Sequence, residues 1–312
     1  AALSRATGDL EGAIEAFKWV FERRPSVDSL DEQATNSAKG LLELYQELDL
    51  FGDANELREL LISLVADSFV VRELVLASAK AFISQMDVAA WGYLDKLLEG
   101  DPKDLEALNL AVEFARQQSD DDRLDDLLSG KLLCEIEEQD RIDCLLERAA
   151  LRFKAQKRSL DDLVATLKLD GKNERAIELL QAQLDDAGWG PEAAQVLDKV
   201  GQDQGINELR TEAHEALIAL AADADAKALA LNQYGSLLVD LERPVEAVDA
   251  LAQAYLITPL NNELFELLFE TMEATERLDE FEVLTNEAAL NVGDAAVCQQ
   301  AAVALVRAGR LE

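Results

Sequence analysis

Apolar residues recur along most of the chain at spacings of three and four, the period of an amphipathic α-helix. The clearest run places Leu231, Tyr234, Gly235 and Leu238 on one helical face. A second run of the same kind begins at Ala247, after an interruption by polar residues. The sequence therefore predicts two helices joined by a short turn in this region.

A fixed spacing marks the second helix of three such pairs. An alanine is followed four residues later by a bulky residue and twelve residues later by proline, in Ala13/Phe17/Pro25, Ala90/Leu94/Pro102 and Ala247/Leu251/Pro259. A small residue lets two helices cross closely, the bulky one fills the adjoining groove, and proline stops the helix. The recurrence predicts a repeated helical pair.

This spacing resembles the tetratricopeptide pattern W-x2-L-G-x2-Y, A-x3-F, P, which the stretch from Leu231 to Pro259 follows. Adding 34 residues leads to a further copy that starts at Phe265, with Gly293 in place of proline. The chain thus resembles a tetratricopeptide-repeat or related α-solenoid protein. The resemblance implies an all-α, right-handed α-α superhelix of about eight helical hairpins. It would form one solenoid over residues 1–312, truncated at both ends, with its best-matched repeats at 228–294.

One interval departs from the repeat. The anchor positions Leu124 and Ala176 are 52 residues apart, whereas Ala213 and Ala247 are 34 apart. The long interval contains residues 131–155, whose apolar residues recur with helical periodicity. One or two additional helices are predicted there.

The charge balance excludes some partners. The chain has 29 Lys and Arg against 63 Asp and Glu, a formal net charge of −34. Such a surface repels phosphate, so nucleic acid and a bare anionic membrane surface are poor partners. No uninterrupted apolar run approaches the ~20 residues of a membrane helix, so direct membrane insertion is not expected. We expect a cytoplasmic location, or alternatively a periplasmic portion of a longer protein.

The residue types that usually carry chemistry are scarce. His214 is the sole histidine, and it is predicted to face solvent or pack between helices rather than to catalyse. Cys134, Cys144 and Cys298 are predicted to be buried, inert thiols. The sequence therefore predicts no catalytic residue, no cofactor and no metal site, and a protein that is not an enzyme.

The resemblance implies that the first helix of each pair lines an inner, concave face on which a partner binds. The residues assigned to that face are Glu106, Asn109, Glu113, Asn232, Ser236, Asp240, Glu263, Glu266, Glu270 and Glu273. The last four recur at helical spacing and form one carboxylate stripe. Two interpretations stay open, a solvated face or a groove for a segment that carries Lys and Arg.

The expected function is therefore a non-catalytic scaffold that binds a partner peptide or helix, basic or mixed in charge, on the concave face. The alternative is a regulatory or spacer segment of a larger multidomain enzyme or envelope-assembly protein. Self-association is a further expectation, through an uncapped C-terminal face with Cys298, Ala302 and Leu305.

Overall fold

The computed structural model describes residues 10–22, 32–65, 67–292 and 295–307, and every regular element within these ranges is an α-helix. Contacts divide the chain into two compact units, Ala1–Glu137 and Glu138–Glu312. None of the described helices is both long enough and apolar enough to cross a membrane.

The first unit holds seven of the described helices. They are α1 (Leu10–Glu22), α2 (Glu32–Glu47), α3 (Phe51–Leu64), α4 (Ser68–Ser84), α5 (Ala90–Gly100), α6 (Leu105–Gln118) and α7 (Asp121–Leu132). Each packs against the next in the chain, and α4 also contacts α6.

The second unit holds ten of the described helices. They are α8 (Glu138–Lys154), α9 (Leu160–Leu169), α10 (Glu174–Gln181), α11 (Gly190–Gln204), α12 (Asn207–Ala219), α13 (Ala224–Asp240), α14 (Pro244–Ile257), α15 (Asn262–Ala274), α16 (Leu278–Val292) and α17 (Ala295–Arg307). Consecutive helices again contact each other. In addition α13 contacts α15 and α14 contacts α16, so first helices stack on first helices and second helices on second helices.

Short polar side chains start many of these helices. The Asp104 carboxylate accepts a hydrogen bond from the Ala107 N–H at 3.1 Å, and the Asn261 side chain accepts one from the Leu264 N–H at 3.2 Å. Such caps satisfy backbone donors that have no partner inside the helix. Glycine is not needed at every turn, since Glu242 has a φ of 58° between α13 and α14.

The repeat anchors lie in the core, as the sequence predicts. Ala247 and Leu251 are fully buried in α14. A Cβ added to Gly235 of α13 would lie 2.5 Å from both Cγ and Cδ2 of Leu251, so only glycine permits this crossing without rearrangement. The prediction of an all-α chain of stacked, tetratricopeptide-like helical pairs is confirmed within each unit.

Two of the three predicted helix-ending prolines fall within the described residues. Pro102 follows the end of α5 and Pro259 follows the end of α14. Pro25 lies outside the described residues, and so does Gly293, the residue expected to replace proline. Where it is described, the repeat therefore ends its second helices at the expected positions.

The long interval in the repeat contains two complete helices, α8 and α9, where a regular interval contains one, so α8 is the additional helix. Because a single helix separates α7 from α9, the helical pairs of the second unit run α9/α10, α11/α12, α13/α14 and α15/α16. The boundary between the two units also lies in this interval. The single solenoid over 1–312 stays a prediction.

The three cysteines differ from the prediction in one case. Cys134 and Cys144 are buried, whereas Cys298 is exposed, so the prediction of three buried thiols is wrong for Cys298. Among the described helices α17 packs mainly against α16, which leaves this side of α17 uncovered. Ala302 on the same helix is exposed, and the Leu305 side chain lies outside the described residues. Self-association through this face stays a prediction.

The crossing at Gly235 can be tested with a matched pair of substitutions. We expect Gly235→Ala to lower the free energy of unfolding by about 1–3 kcal/mol, because the added methyl overlaps Leu251. Gly92→Ala in α5 meets no atom within 4 Å, and there we expect a gain of about 0.5–1 kcal/mol from helix propensity. Denaturant unfolding of both variants measures the difference, and equal effects would contradict the packing.

Candidate functional site

The ten residues predicted for a binding face lie on three helices in two units. Glu106, Asn109 and Glu113 are on α6 of the first unit. The other seven are on α13 and α15 of the second unit, which contact each other. The two groups are therefore described separately.

On α6 the predicted carboxylates are already paired within the chain. Glu106 accepts from Lys80 Nζ at 2.8 Å and from Arg72 Nη2 at 3.2 Å, and Glu113 accepts from Arg116 Nη1 at 3.1 Å. The hydrogen bond from Lys80 and, to a smaller extent, the hydrogen bond from Arg72 lower the pKa of Glu106. Asn109 is exposed and carries no charge. This group offers little free negative charge to a partner.

The Arg72 guanidinium organises this part of the first unit. It donates from Nε to Asp104 Oδ2 at 2.6 Å and from Nη2 to Asp104 Oδ1 at 2.8 Å. The hydrogen bond to Arg72 is the main cause that lowers the pKa of Asp104, which also caps α6. These contacts link α4 to the start of α6, so they serve the stacking of helices.

On α15 the predicted carboxylates are exposed and unpaired. Glu263, Glu266, Glu270 and Glu273 are all exposed, and none makes an ion pair with another described residue. Their spacing places them on one face of α15. The buried residues of α15, among them Leu268, lie on the opposite side and belong to the core.

On α13 the three predicted residues differ from one another. Asp240 is exposed and makes no ion pair within the described chain. The Ser236 hydroxyl donates to the Asn232 carbonyl oxygen at 3.0 Å, so it is engaged by its own helix. Asn232 is half-buried, and its side-chain Oδ1 has no hydrogen-bond partner in the part of the chain that the structure describes.

Five of the ten predicted residues form a set of exposed carboxylates that make no ion pair with another described residue. We call it the acidic surface, and its members are Asp240, Glu263, Glu266, Glu270 and Glu273. All five belong to the first helices of two consecutive pairs in the second unit. Half of the predicted residues thus carry a charge that no other described residue pairs.

The structure adds a cavity that the sequence did not indicate. It lies between α11, α12 and α13, has a volume of about 620 Å³ and is lined largely by apolar side chains. His214 of α12 is one of the lining residues, together with Leu217 and Leu229. In the sequence, Leu229 could have pointed to this cavity, because it is an apolar residue at a position where the next repeat has the charged residue Glu263.

His214 packs between helices, as one of the two predicted alternatives states. It is 8 % exposed and stacks on Tyr234 of α13 with ring centroids 6.2 Å apart. Its Nε2 lies 3.7 Å from Asp198 Oδ1, and that oxygen accepts a hydrogen bond from Arg210 Nε at 3.0 Å. The Nδ1 of His214 has no hydrogen-bond partner among the described residues. Burial lowers the pKa of His214, because it disfavours the charged imidazole.

Tyr234 completes this arrangement. Its hydroxyl donates to Glu215 Oε1 at 3.0 Å, and burial is the main cause that raises its pKa to about 12. Among the described residues, no group of three or more His, Cys, Asp and Glu side chains is placed to hold a metal ion.

Comparison with known proteins gives a limited result. No family model matches the chain, and no curated protein sequence matches it significantly. A solved structure of Naa15/Naa10 bound to HypK-THB is 14 % identical, with alignment over 99 % of this chain and 55 % of that chain and a TM-score of 0.39. The chain therefore spans about half the length of that solved chain. The tetratricopeptide-repeat domain of P58(IPK) is 16 % identical over 98 % of this chain and 96 % of that chain, with a TM-score of 0.28.

Both TM-scores lie below 0.5, so the fold assignment rests on the packing described above. That packing defines an all-α array of helical pairs with a repeat of about 34 residues in its best-matched part. The acidic surface and the cavity are formed by side chains of this chain, and neither follows from the two comparisons.

The Arg72–Asp104 pair predicts a pH dependence of stability. Asp104→Asn keeps a good capping residue but removes the charge, and we expect it to lower the free energy of unfolding at pH 7 by about 1–2 kcal/mol. The pKa of Asp104 is lowered in the folded state, so this contribution is complete above the ordinary value of about 3.9. The stabilising contribution of the Asp104 charge is lost as the pH falls through the pKa that Asp104 has in the folded state.

Denaturant unfolding of parent and Asp104→Asn protein at pH 7, 4 and 3 measures this difference. The gap between them should narrow as the pH falls below about 4. Glu99→Gln, an exposed carboxylate on α5, is the matched control and should change the free energy of unfolding by less than about 0.5 kcal/mol. A gap that stays constant down to pH 3 would contradict the assigned role of the charge.

Proposed function

We propose that this chain is a non-catalytic protein-interaction scaffold that binds a basic or mixed-charge segment of a partner through the acidic surface. The observation that carries the proposal is the contrast between α6 and α15. Carboxylates on α6 are matched by Arg and Lys of the same chain, whereas those on α15 make no ion pair with any residue that the structure describes. A partner with Lys or Arg would supply the missing countercharge.

The spacing of the α15 carboxylates supports this interpretation. Like charges three or four residues apart destabilise a helix by about 0.2–0.5 kcal/mol per pair. Glu266 and Glu270 form one such pair, and Glu270 and Glu273 another. A bound cation relieves this repulsion, and the same field attracts a basic segment from solution.

The position of the acidic surface also favours a macromolecular partner. It is built on α13 and α15, which stack as first helices of successive pairs, so its carboxylates extend over more than one helix. An extended peptide that crosses both helices would meet charges on each. The overall net charge of −34 opposes association with acidic partners and with nucleic acid.

Charge reversal tests the proposal. We expect Glu266→Lys/Glu270→Lys to weaken binding of a Lys/Arg-rich 12-residue peptide about tenfold at low salt and to reduce its salt dependence, because two attractions become repulsions. Fluorescence anisotropy at several salt concentrations gives both quantities. Stability should change by less than about 0.5 kcal/mol, because both positions are exposed.

A matched control separates a site from general attraction. Glu282→Lys/Glu287→Lys on α16 makes the same change in net charge at exposed positions of a second helix. Binding by this control should stay within about twofold of the parent. If the two double variants weaken binding equally, the attraction is a property of net charge and the proposal is overturned.

A further inference from the structure

The cavity between α11, α12 and α13 lies in the second unit and shares no residue with the acidic surface. Its apolar lining includes Leu217, Leu220, Leu229 and Ala230. Leu229 is 59 % exposed, so an apolar side chain that lines the cavity is accessible to a partner. At about 620 Å³ the cavity falls within the range of sites that hold a drug-sized molecule, so it has room for a bulky side chain.

The cavity and the acidic surface are neighbours within the second unit. Leu229 of α13 and Glu263 of α15 occupy equivalent repeat positions 34 residues apart, and the two helices are in contact. Packed helix axes lie about 8–10 Å apart. Since an extended peptide advances about 3.3 Å per residue, about three residues carry it from one helix to the next. Glu273 lies ten residues, or about 15 Å, further along α15 than Glu263, so about five residues reach the far end of the carboxylate stripe.

The cavity offers little unpaired charge. Asp198 lines it, but its carboxylate already accepts from Arg210 Nε at 3.0 Å. Apart from Asp198 and His214, the residues that line the cavity are uncharged, and the acidic surface includes four carboxylates of α15, which contacts α13. This arrangement favours an uncharged, apolar group in the cavity and a cation a few residues away.

We propose that the partner segment inserts one bulky apolar side chain, Leu, Met or Phe, into this cavity and places Lys or Arg about three to five residues away against the acidic surface. This inference rests on the proposed function and adds the sequence pattern of the partner. A second copy of this chain does not fit that pattern, because its net charge of −34 is repelled by the same carboxylates.

His214 provides an internal reporter for the cavity. It is the only histidine of the chain, it lines the cavity, and no described residue forms a hydrogen bond with its Nδ1. Titratable groups near it are Asp198, Arg210 and Tyr234. A side chain that enters the cavity changes the surroundings of the imidazole, so its NMR resonances should shift without ambiguity of assignment.

The experiment uses two 12-residue peptides and two protein variants. One peptide carries a single leucine followed four residues later by two arginines, and the other has alanine in place of leucine. Each peptide is also tested with its sequence reversed, so that the arginines precede the leucine or the alanine. Ala226→Phe fills the cavity from an exposed position on α13. Ala224→Phe, the matched control, is exposed on the same helix and does not line the cavity.

For the parent and for Ala224→Phe we expect at least tenfold tighter binding of the leucine peptide than of the alanine peptide, in at least one order. Ala226→Phe should remove that preference and leave binding of the alanine peptide unchanged. The His214 resonances should shift with the leucine peptide and not with the alanine peptide. Circular dichroism confirms that both variants are folded.

The outcomes distinguish this inference from the proposed function. Equal binding of the two peptides by the parent, or an unchanged leucine preference in Ala226→Phe, overturns the cavity as an anchor site. If the Glu266→Lys/Glu270→Lys variant still binds both peptides more weakly than the parent in that case, the proposed function stands and only the role of the cavity is rejected. If neither the charge reversal nor the cavity variant alters binding, both are overturned.

Discussion

The close crossing between the two helices of a pair is the contact on which the rest of the second unit depends. At Gly235 the absence of a side chain lets Leu251 of α14 pack against the backbone of α13. Each pair still carries apolar residues on its other sides, which it can bury only against neighbouring pairs. The rings of Tyr255, Phe265 and Phe281 meet in this way, with centroid separations of 6.0 and 5.5 Å, and join α14, α15 and α16 into one core.

Stacking also determines which charges are compensated. In the first unit Arg72 of α4 reaches Asp104 and Glu106 at the start of α6, so a cation on one first helix neutralises carboxylates on the next. In the second unit, by contrast, no ion pair between described residues joins α13 to the carboxylates of α15. Two faces with similar sequence patterns therefore differ in how far their carboxylates are paired with other described residues.

The cavity beside His214 follows from the same packing. Small residues on α13, including Ala226 and Ala230, leave space that the end of α12 does not fill. The histidine is held by stacking on Tyr234, whose hydroxyl is in turn bound to Glu215. The helix α13 therefore lines the apolar cavity and also contacts α15, whose predicted carboxylates make no ion pair with another described residue.

The sequence by itself determined the helical architecture, since the spacing of Ala247, Leu251 and Pro259 expresses packing rules that act over a few residues. It also determined which helix faces carry carboxylates, because helical periodicity assigns residues to faces. Only the tertiary structure decided that Glu106 is paired and Glu266 is not, because ion pairing depends on side chains from other helices. The cavity was decided at the same level, since an unfilled volume arises from three helices at once and leaves no periodic trace in any one of them.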